Sequence, residues 1–275
     1  MTGTRAILLK SRGIPAVPGI MPGDLGYPPG VVYFQFEGLA KAGLRHAIFT
    51  RLGGVSRSPY DTLNVSNECG DDPEHVKKNL GIVRQVFGTK HLISMKQVHG
   101  NQVQVVTEDD VSRLSDPIHA DALITPVSQV ALMVKLADCQ GIILFDPIRR
   151  VLANVHCGWR GNVLNIIGIA VERMCATFGS KASEIKAAIS PSLGPCCGEF
   201  VTHEQIFPEE FRSFMLRKNY FDLWEISRRQ LMRAGLRDEN IEVAGICTRC
   251  RTDFFFSYRA EGITGRFAVL SMLQE

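Results

Sequence analysis

The stretch "VHCGWRG", Val155 to Gly161, sets an imidazole, a thiol and a guanidinium side by side at the end of an apolar run. A second thiol beside a carboxylate, Asp138 and Cys139 in "LADCQGIILFDP", stands between two further apolar runs. If "GIILF" and "VLANV" pair as a hairpin through "DPIRR", the start of one strand lies beside the end of the other, and Cys139 and His156 become neighbours. Two chemistries use that pair. A histidine can keep a cysteine ionised for attack on a carbonyl. Alternatively, thiolate and imidazole both bind a divalent ion, which wants one or two more donors. His99 in "SMKQVHGNQV" is the best third donor, because it follows an apolar run and precedes a glycine. Two histidines and a cysteine leave a tetrahedral ion one open position, as in centres that activate water; zinc is the first choice and copper also suits the donors.

Each of these residues also has a plain reading. A buried cysteine is commonly a small hydrophobe, and a strand-end histidine is often only hydrogen-bonded. Asp138 can orient a histidine, act as an acid or cap a turn. Arg51 in "FTRLGGVSRSPYDTLN" precedes two glycines, so guanidinium and backbone amides there could hold phosphate, or the arginine could simply sit on a surface turn. Arg160, close to His156, is a second anion candidate. Cys247 and Cys250 form "CTRC", but no second CxxC exists and the adjacent Cys196 and Cys197 make a poor complement if neighbouring side chains diverge. The sequence therefore reads "CTRC" as structural rather than as half of a four-cysteine zinc site.

These residues need a frame to position them. Residues 1–30 carry Pro15, Pro18, Pro22, Pro28 and Pro29 and are expected to form an irregular N-terminal arm, with one domain over 31–275. "DDPEHVKKNLGIVRQVFG" predicts a helix capped at Asp71 or Asp72, with Val76, Leu80, Val83 and Phe87 on its apolar stripe. Further helices are expected from about Asn162 to Phe178 with Gly179 as the stop, over 204–217 and over 222–234. Eight short apolar runs predict strands, three of them in quick succession between residues 131 and 155. That spacing leaves no room for crossover helices, so the expected class is α+β with partly antiparallel sheet.

Composition narrows the function. The 275 residues are 45% hydrophobic and 21% charged with a net charge of +3, and the basic residues are scattered, which argues against a nucleic-acid binder. No apolar stretch reaches membrane-spanning length and no signal-peptide pattern opens the chain, so a cytoplasmic protein with reduced cysteines and no membrane partner is expected.

Taken together, "TRLGGVS", "PYDTLN", "KQVHG", "ADALIT", "ADC", "GWRG", "GPCC", "CTRC", "FFSYR" and "TGR" resemble the bacterial laccase-domain proteins, first called multicopper polyphenol oxidase-like and since described as purine nucleoside phosphorylases. The matching stretches span about residues 46 to 270. The resemblance implies a single-domain α+β fold with layered mixed sheets flanked by helices, and zinc held by His99, Cys139 and His156. It implies phosphorolysis of adenosine, inosine, guanosine and methylthioadenosine, so that purine nucleoside and phosphate are the partners, with adenosine deamination as a further activity. Some members look instead like peptidoglycan-editing factors, and a related toxin deamidase uses a Cys and His pair, which keeps amide hydrolysis as an alternative. Copper-dependent phenol oxidation ranks below both, because seven scattered histidines do not offer multicopper spacing. A zinc-stabilised interaction module would need a fourth ligand, for which His119 is the candidate. The chain departs from the family pattern at Gly141, Cys157 and Gly198, and Cys157 and Gly198 are the two expected to alter the pocket wall.

Overall fold

The computed structural model describes residues 5–9, 30–113 and 118–275. Two mixed sheets stack face to face. The seven-stranded sheet runs, in spatial order, Arg5–Leu9, Val32–Phe36, Arg45–Phe49, Phe267–Met272, Val130–Leu136, His91–Lys96 and Ile118–His119. The six-stranded sheet runs Ile241–Val243, Lys186–Ile189, Gln140–Asp146, Val151–Cys157, Ala122–Thr125 and Val103–Val105.

The period-two alternation of each central strand builds the layers. Along Phe267–Met272, Phe267 and Val269 face the other sheet while Ala268, Leu270 and Met272 pack with Val83 and Phe87 of the helix Pro73–Phe87. Along Gln140–Asp146, Ile143 and Phe145 face inward and Ile142 and Leu144 pack with Ile167, Val171 and Leu231, from the helices Ile166–Phe178 and Leu223–Arg233. The order is helix, sheet, sheet, helices. Central strands buried on both faces explain why "ALMVKL" and "GIILF" are nearly continuous apolar runs. Between the sheets, Asn154 Nδ2 donates to the carbonyls of Leu132 and Val269, both in the opposite sheet, at 3.0 Å each.

Several local expectations hold in detail. The helix Pro73–Phe87 starts at Asp72, whose side chain accepts from Glu74 N, and ends at Gly88 in the left-handed region. Asn79 joins its buried face, donating to Ser56 Oγ and the carbonyls of Thr62 and Asn64. The hairpin through "DPIRR" is antiparallel, with Gln140 opposite Cys157 and Gly141 opposite His156.

Others are corrected. Within the expected N-terminal arm, Arg5–Leu9 pair in parallel with Val32–Phe36, as an edge strand needing only one partner; the rest of that arm up to residue 29 lies outside the described residues. The expected helix from Asn162 is two helices, Trp159–Val163 and Ile166–Phe178, because Asn165 adopts a left-handed φ of 54° between them. The expected helix over 204–217 is one turn, His203–Ile206, then a 3-10 segment, Glu209–Phe214, and a short strand, Met215–Arg217. Pro208 interrupts it, and its aromatics instead pack with Phe200 and Phe221.

Candidate functional site

The strands Gln140–Asp146 and Val151–Cys157 bring their chemistry to one end of the six-stranded sheet. The hairpin register sets Cys139 beside His156, and the loop after His91–Lys96 delivers His99. The ligand atoms of His99, Cys139 and His156 lie within 4.8 Å of one another. The two imidazoles meet edge to face, with centroids 4.8 Å apart and planes at 87°.

A fourth residue organises the three. Asp121, fully buried, accepts from His156 Nδ1 at 2.8 Å through Oδ1, from the His99 N–H at 3.0 Å through Oδ1 and from the Gly100 N–H at 2.7 Å through Oδ2. These bonds hold His99 in the left-handed region, φ 57°. With Nδ1 engaged by Asp121, Nε2 is the nitrogen that His156 turns toward Cys139 and offers to a metal. Asp121 is not singled out by sequence, although it stands in the "ADALIT" motif; its role depends on a strand and a loop that only the tertiary fold brings to it.

The electrostatics favour an ionised thiol. Burial alone would raise the Cys139 thiol, but the charges and hydrogen bonds of His156 and His99 outweigh it and bring its pKa down to about 6. Burial would lower His156, yet Cys139 and Asp121 push it up to about 9. Burial pushes the neighbouring Cys157 thiol well up, so Cys139 is the thiol of the two that ionises. Gly158 allows this crowding: a Cβ there would stand 2.8 Å from Cys139 Sγ.

The donor set fits a zinc-type ion. Two imidazoles and one thiolate, one imidazole held by a buried carboxylate, are the ligands and supporting partner such an ion takes when one position stays open. The three open into a cavity of about 450 Å³. Lys135, Arg160, Arg259 and Arg266 line it with positive charge, and Trp159, Phe200 and Tyr258 supply aromatic surface. Arg259 and Arg266 belong to "FFSYR" and "TGR", whose chemistry the sequence reading left unassigned.

Two expected site residues do other work. Asp138 does not meet His156. At φ 84°, its Oδ1 accepts from Thr248 Oγ1 at 2.7 Å and Ser257 Oγ at 2.6 Å, and its Oδ2 from the Arg259 N–H at 2.6 Å. These bonds give it the capping geometry rather than one that orients His156, while it still lines the cavity beside Cys139. Arg51 is not among the cavity's lining residues. Its guanidinium donates to Glu261 Oε1 at 2.8 Å and to the carbonyls of Asp61 and Thr252, and it lies over the Phe256 ring, so its donors are already engaged. Arg160 does line the cavity, exposed beside Trp159. His119 lies exposed on the strand beside Lys96 and does not join the three donors. Of the three departures from the family pattern, Cys157 lines the cavity, while Gly141 packs on Leu136 and Val269 and Gly198 on the Phe221 carbonyl.

A second cluster corrects the expectation that Cys196 and Cys197 make a poor complement to "CTRC". Cys196, Cys197, Cys247 and Cys250 place their sulfurs within 4.8 Å of one another. Adjacent side chains diverge fully in a strand, but Cys196 and Cys197 sit in a turn, where both can face the same loop.

Comparison with known proteins completes the picture. Residues 45–274 match the model of a family described as multi-copper polyphenol oxidoreductase laccase. A Bacillus subtilis protein named purine nucleoside phosphorylase YlmD is 30% identical over 233 residues, 79% of this chain and 84% of its own length. Escherichia coli purine nucleoside phosphorylase YfiH is 30% identical over 231 residues, 80% of this chain and 89% of its own. The crystal structure of Bacillus licheniformis hypothetical protein YfiH superposes with a TM-score of 0.78 at 29% identity, covering 84% of this chain and 93% of that one.

Proposed function

Because this chain belongs to the multi-copper polyphenol oxidoreductase laccase family, we propose that it is a zinc-dependent purine nucleoside phosphorylase. Its substrates are adenosine, inosine, guanosine and methylthioadenosine, and deamination of adenosine is a second activity of the same site. The relatives named for phosphorolysis support this reading. The observation that carries it is the placement of three metal donors at a cavity lined by four cations and three aromatic rings.

Phosphorolysis asks a site to hold an anion and a flat base at once. Arg160, Arg259 and Arg266 supply the charge for phosphate, with Lys135 beside them paired to Glu68, a role for which Arg51 lies outside the cavity lining. Trp159, Phe200 and Tyr258 offer surfaces for the purine and ribose. A phosphate oxygen bonds to the anomeric carbon as the carbon–nitrogen bond breaks, and that bond's electron pair leaves with the purine. The cationic walls stabilise both anions. A metal held by His99, Cys139 and His156 supplies a Lewis acid beside them. Asp121 keeps His156 in the required tautomer and His99 in place. Among the described residues no helix is long and apolar enough to cross a membrane, and we assign the reaction to the cytoplasm.

Copper accepts the same donors, but multicopper oxidation needs histidine-rich clusters. Of the seven histidines only His99 and His156 belong to a cluster of three or more metal donors among the described residues, and no methionine lines the cavity as an axial ligand. A Cys–His amide hydrolase is the second reading, favoured by the thiol of Cys139 at about 6 beside His156. Metal content and the products from adenosine with phosphate, measured on one sample, separate the readings. Adenine with ribose 1-phosphate is expected from a zinc-loaded protein, and the absence of any purine product from such a sample would overturn the assignment.

A further inference from the structure

The turn through Cys196 and Cys197 and the loop from Cys247 to Cys250 hold their four sulfurs closer than packing of small hydrophobes requires. Cys250 Sγ lies 3.6 Å from Cys196 Sγ and 3.5 Å from Cys197 Sγ. A disulfide brings its sulfurs to about 2.05 Å. Four sulfurs about 2.3 Å from a central tetrahedral ion are separated by about 3.8 Å along each edge. The observed separations sit near the second figure and far from the first.

The backbone frames this group as it would a bound ion. The Gly194 N–H donates to Cys247 Sγ at 3.3 Å, and Thr248 N donates to the Ser192 carbonyl at 3.0 Å, joining the two segments. A Cβ at Gly194 would stand 2.9 Å from the Cys247 Cβ, so this approach requires glycine. Cys197 and Cys247 are buried, Cys196 and Cys250 face solvent, and among the described residues no other metal donor joins the four.

We propose that Cys196, Cys197, Cys247 and Cys250 bind one thiolate-seeking divalent ion, zinc first, in a closed four-sulfur structural site separate from the cavity. Binding releases the four thiol protons to solvent and leaves the centre with a net charge of −2. Arg217, which donates to the Cys196 carbonyl at 3.2 Å, is a cation beside it. The ion's work is mechanical. It fastens the segment carrying Leu193 and Phe200 to the segment leading to Arg259, and both segments build the cavity wall. They also share an anchor, since Leu193 N donates to the Asp138 carbonyl at 2.8 Å and Thr248 Oγ1 to its carboxylate. The inference does not depend on which reaction the cavity performs.

The test counts metal and identifies its ligands in the full chain, purified under reducing conditions. Two zinc ions per chain are expected in the wild type. The double variant Cys196→Ser/Cys250→Ser should lose one and keep the other, and Cys139→Ser should show the reverse loss. Cobalt(II) titration of the chelator-stripped wild type supplies a readout that needs no variant, with the intense sulfur-to-metal charge transfer of a four-thiolate centre expected. A cobalt spectrum with one thiolate per ion, unchanged zinc content in the double variant, or a disulfide among the four cysteines in freshly purified metal-free protein would each overturn the proposal. Loss of phosphorolysis with two zinc ions still bound would count against the function alone.

Discussion

The two sulfur clusters are built from opposite materials. His99, Cys139 and His156 are carried at or beside strand ends, mix nitrogen with sulfur, lean on one buried carboxylate and face a cavity. The four cysteines hang from two loop segments, offer identical donors, have a backbone N–H where the first cluster has Asp121, and face no cavity among those described. An ion in the first has something to act upon. In the second it can only hold parts together. Donor type and what lies beyond the donors therefore separate a working centre from a fastening, even where both contain thiols.

Exchanging one sulfur in each cluster should expose that contrast most sharply. Cys139→Ser is expected to lower kcat/KM for phosphorolysis by about three orders of magnitude with the fold intact by circular dichroism, whereas the Cys196→Ser/Cys250→Ser protein should stay within about tenfold of wild type. Equal losses in the two would erase the distinction. Asp121→Asn tests the support that only the first cluster has: metal affinity there should weaken about 10- to 100-fold, read by competition with a chromogenic chelator.

Acid separates damage to the frame from damage to either cluster. His46 is buried, its Nε2 accepting from the Phe36 N–H at 2.7 Å while Nδ1 donates to the Leu44 carbonyl. Burial holds its pKa down at about 4, the Leu44 bond opposing only in part. Between that value and the ordinary 6.5, the unfolded chain binds a proton that the folded chain refuses. This contribution to stability is complete above pH 7 and lost as pH falls. Going from pH 7 to pH 5 should cost about 2 kcal/mol, roughly 30-fold in the unfolding constant, and His46→Gln should flatten that slope in urea titrations. Because ion binding releases thiol protons, both clusters also weaken in acid, so the His46 contribution is read as the difference between wild type and His46→Gln, both stripped of metal. The smallest effect is expected at the cavity wall, where Arg266→Ala should raise KM for phosphate about tenfold and leave the metal count unchanged.

Much of the first cluster was legible because its logic is local. The runs "GIILF" and "VLANV" with "DPIRR" between them specify a hairpin, and the hairpin register alone puts Cys139 next to His156. The stop at Gly179 and the cap at Asp72 were legible for the same reason. Asp121 was not, because its three hydrogen bonds cross from one strand to another and to a loop 22 residues away. The break at Asn165 escaped as well, since apolar spacing continues across it and only the left-handed backbone reveals the end of a helix. The four-cysteine group was hidden by a rule about adjacent side chains that applies to extended chain and not to a turn.

Asn154 lies two residues before His156, on the same strand, with its amide fastened to backbone carbonyls of the facing sheet. Any sliding of one sheet across the other would thus be felt as a displacement of the imidazole. Attempts to re-aim that ligand by redesigning nearby loops would work against an anchor in the middle of the protein; a change at position 154 would reach it from behind.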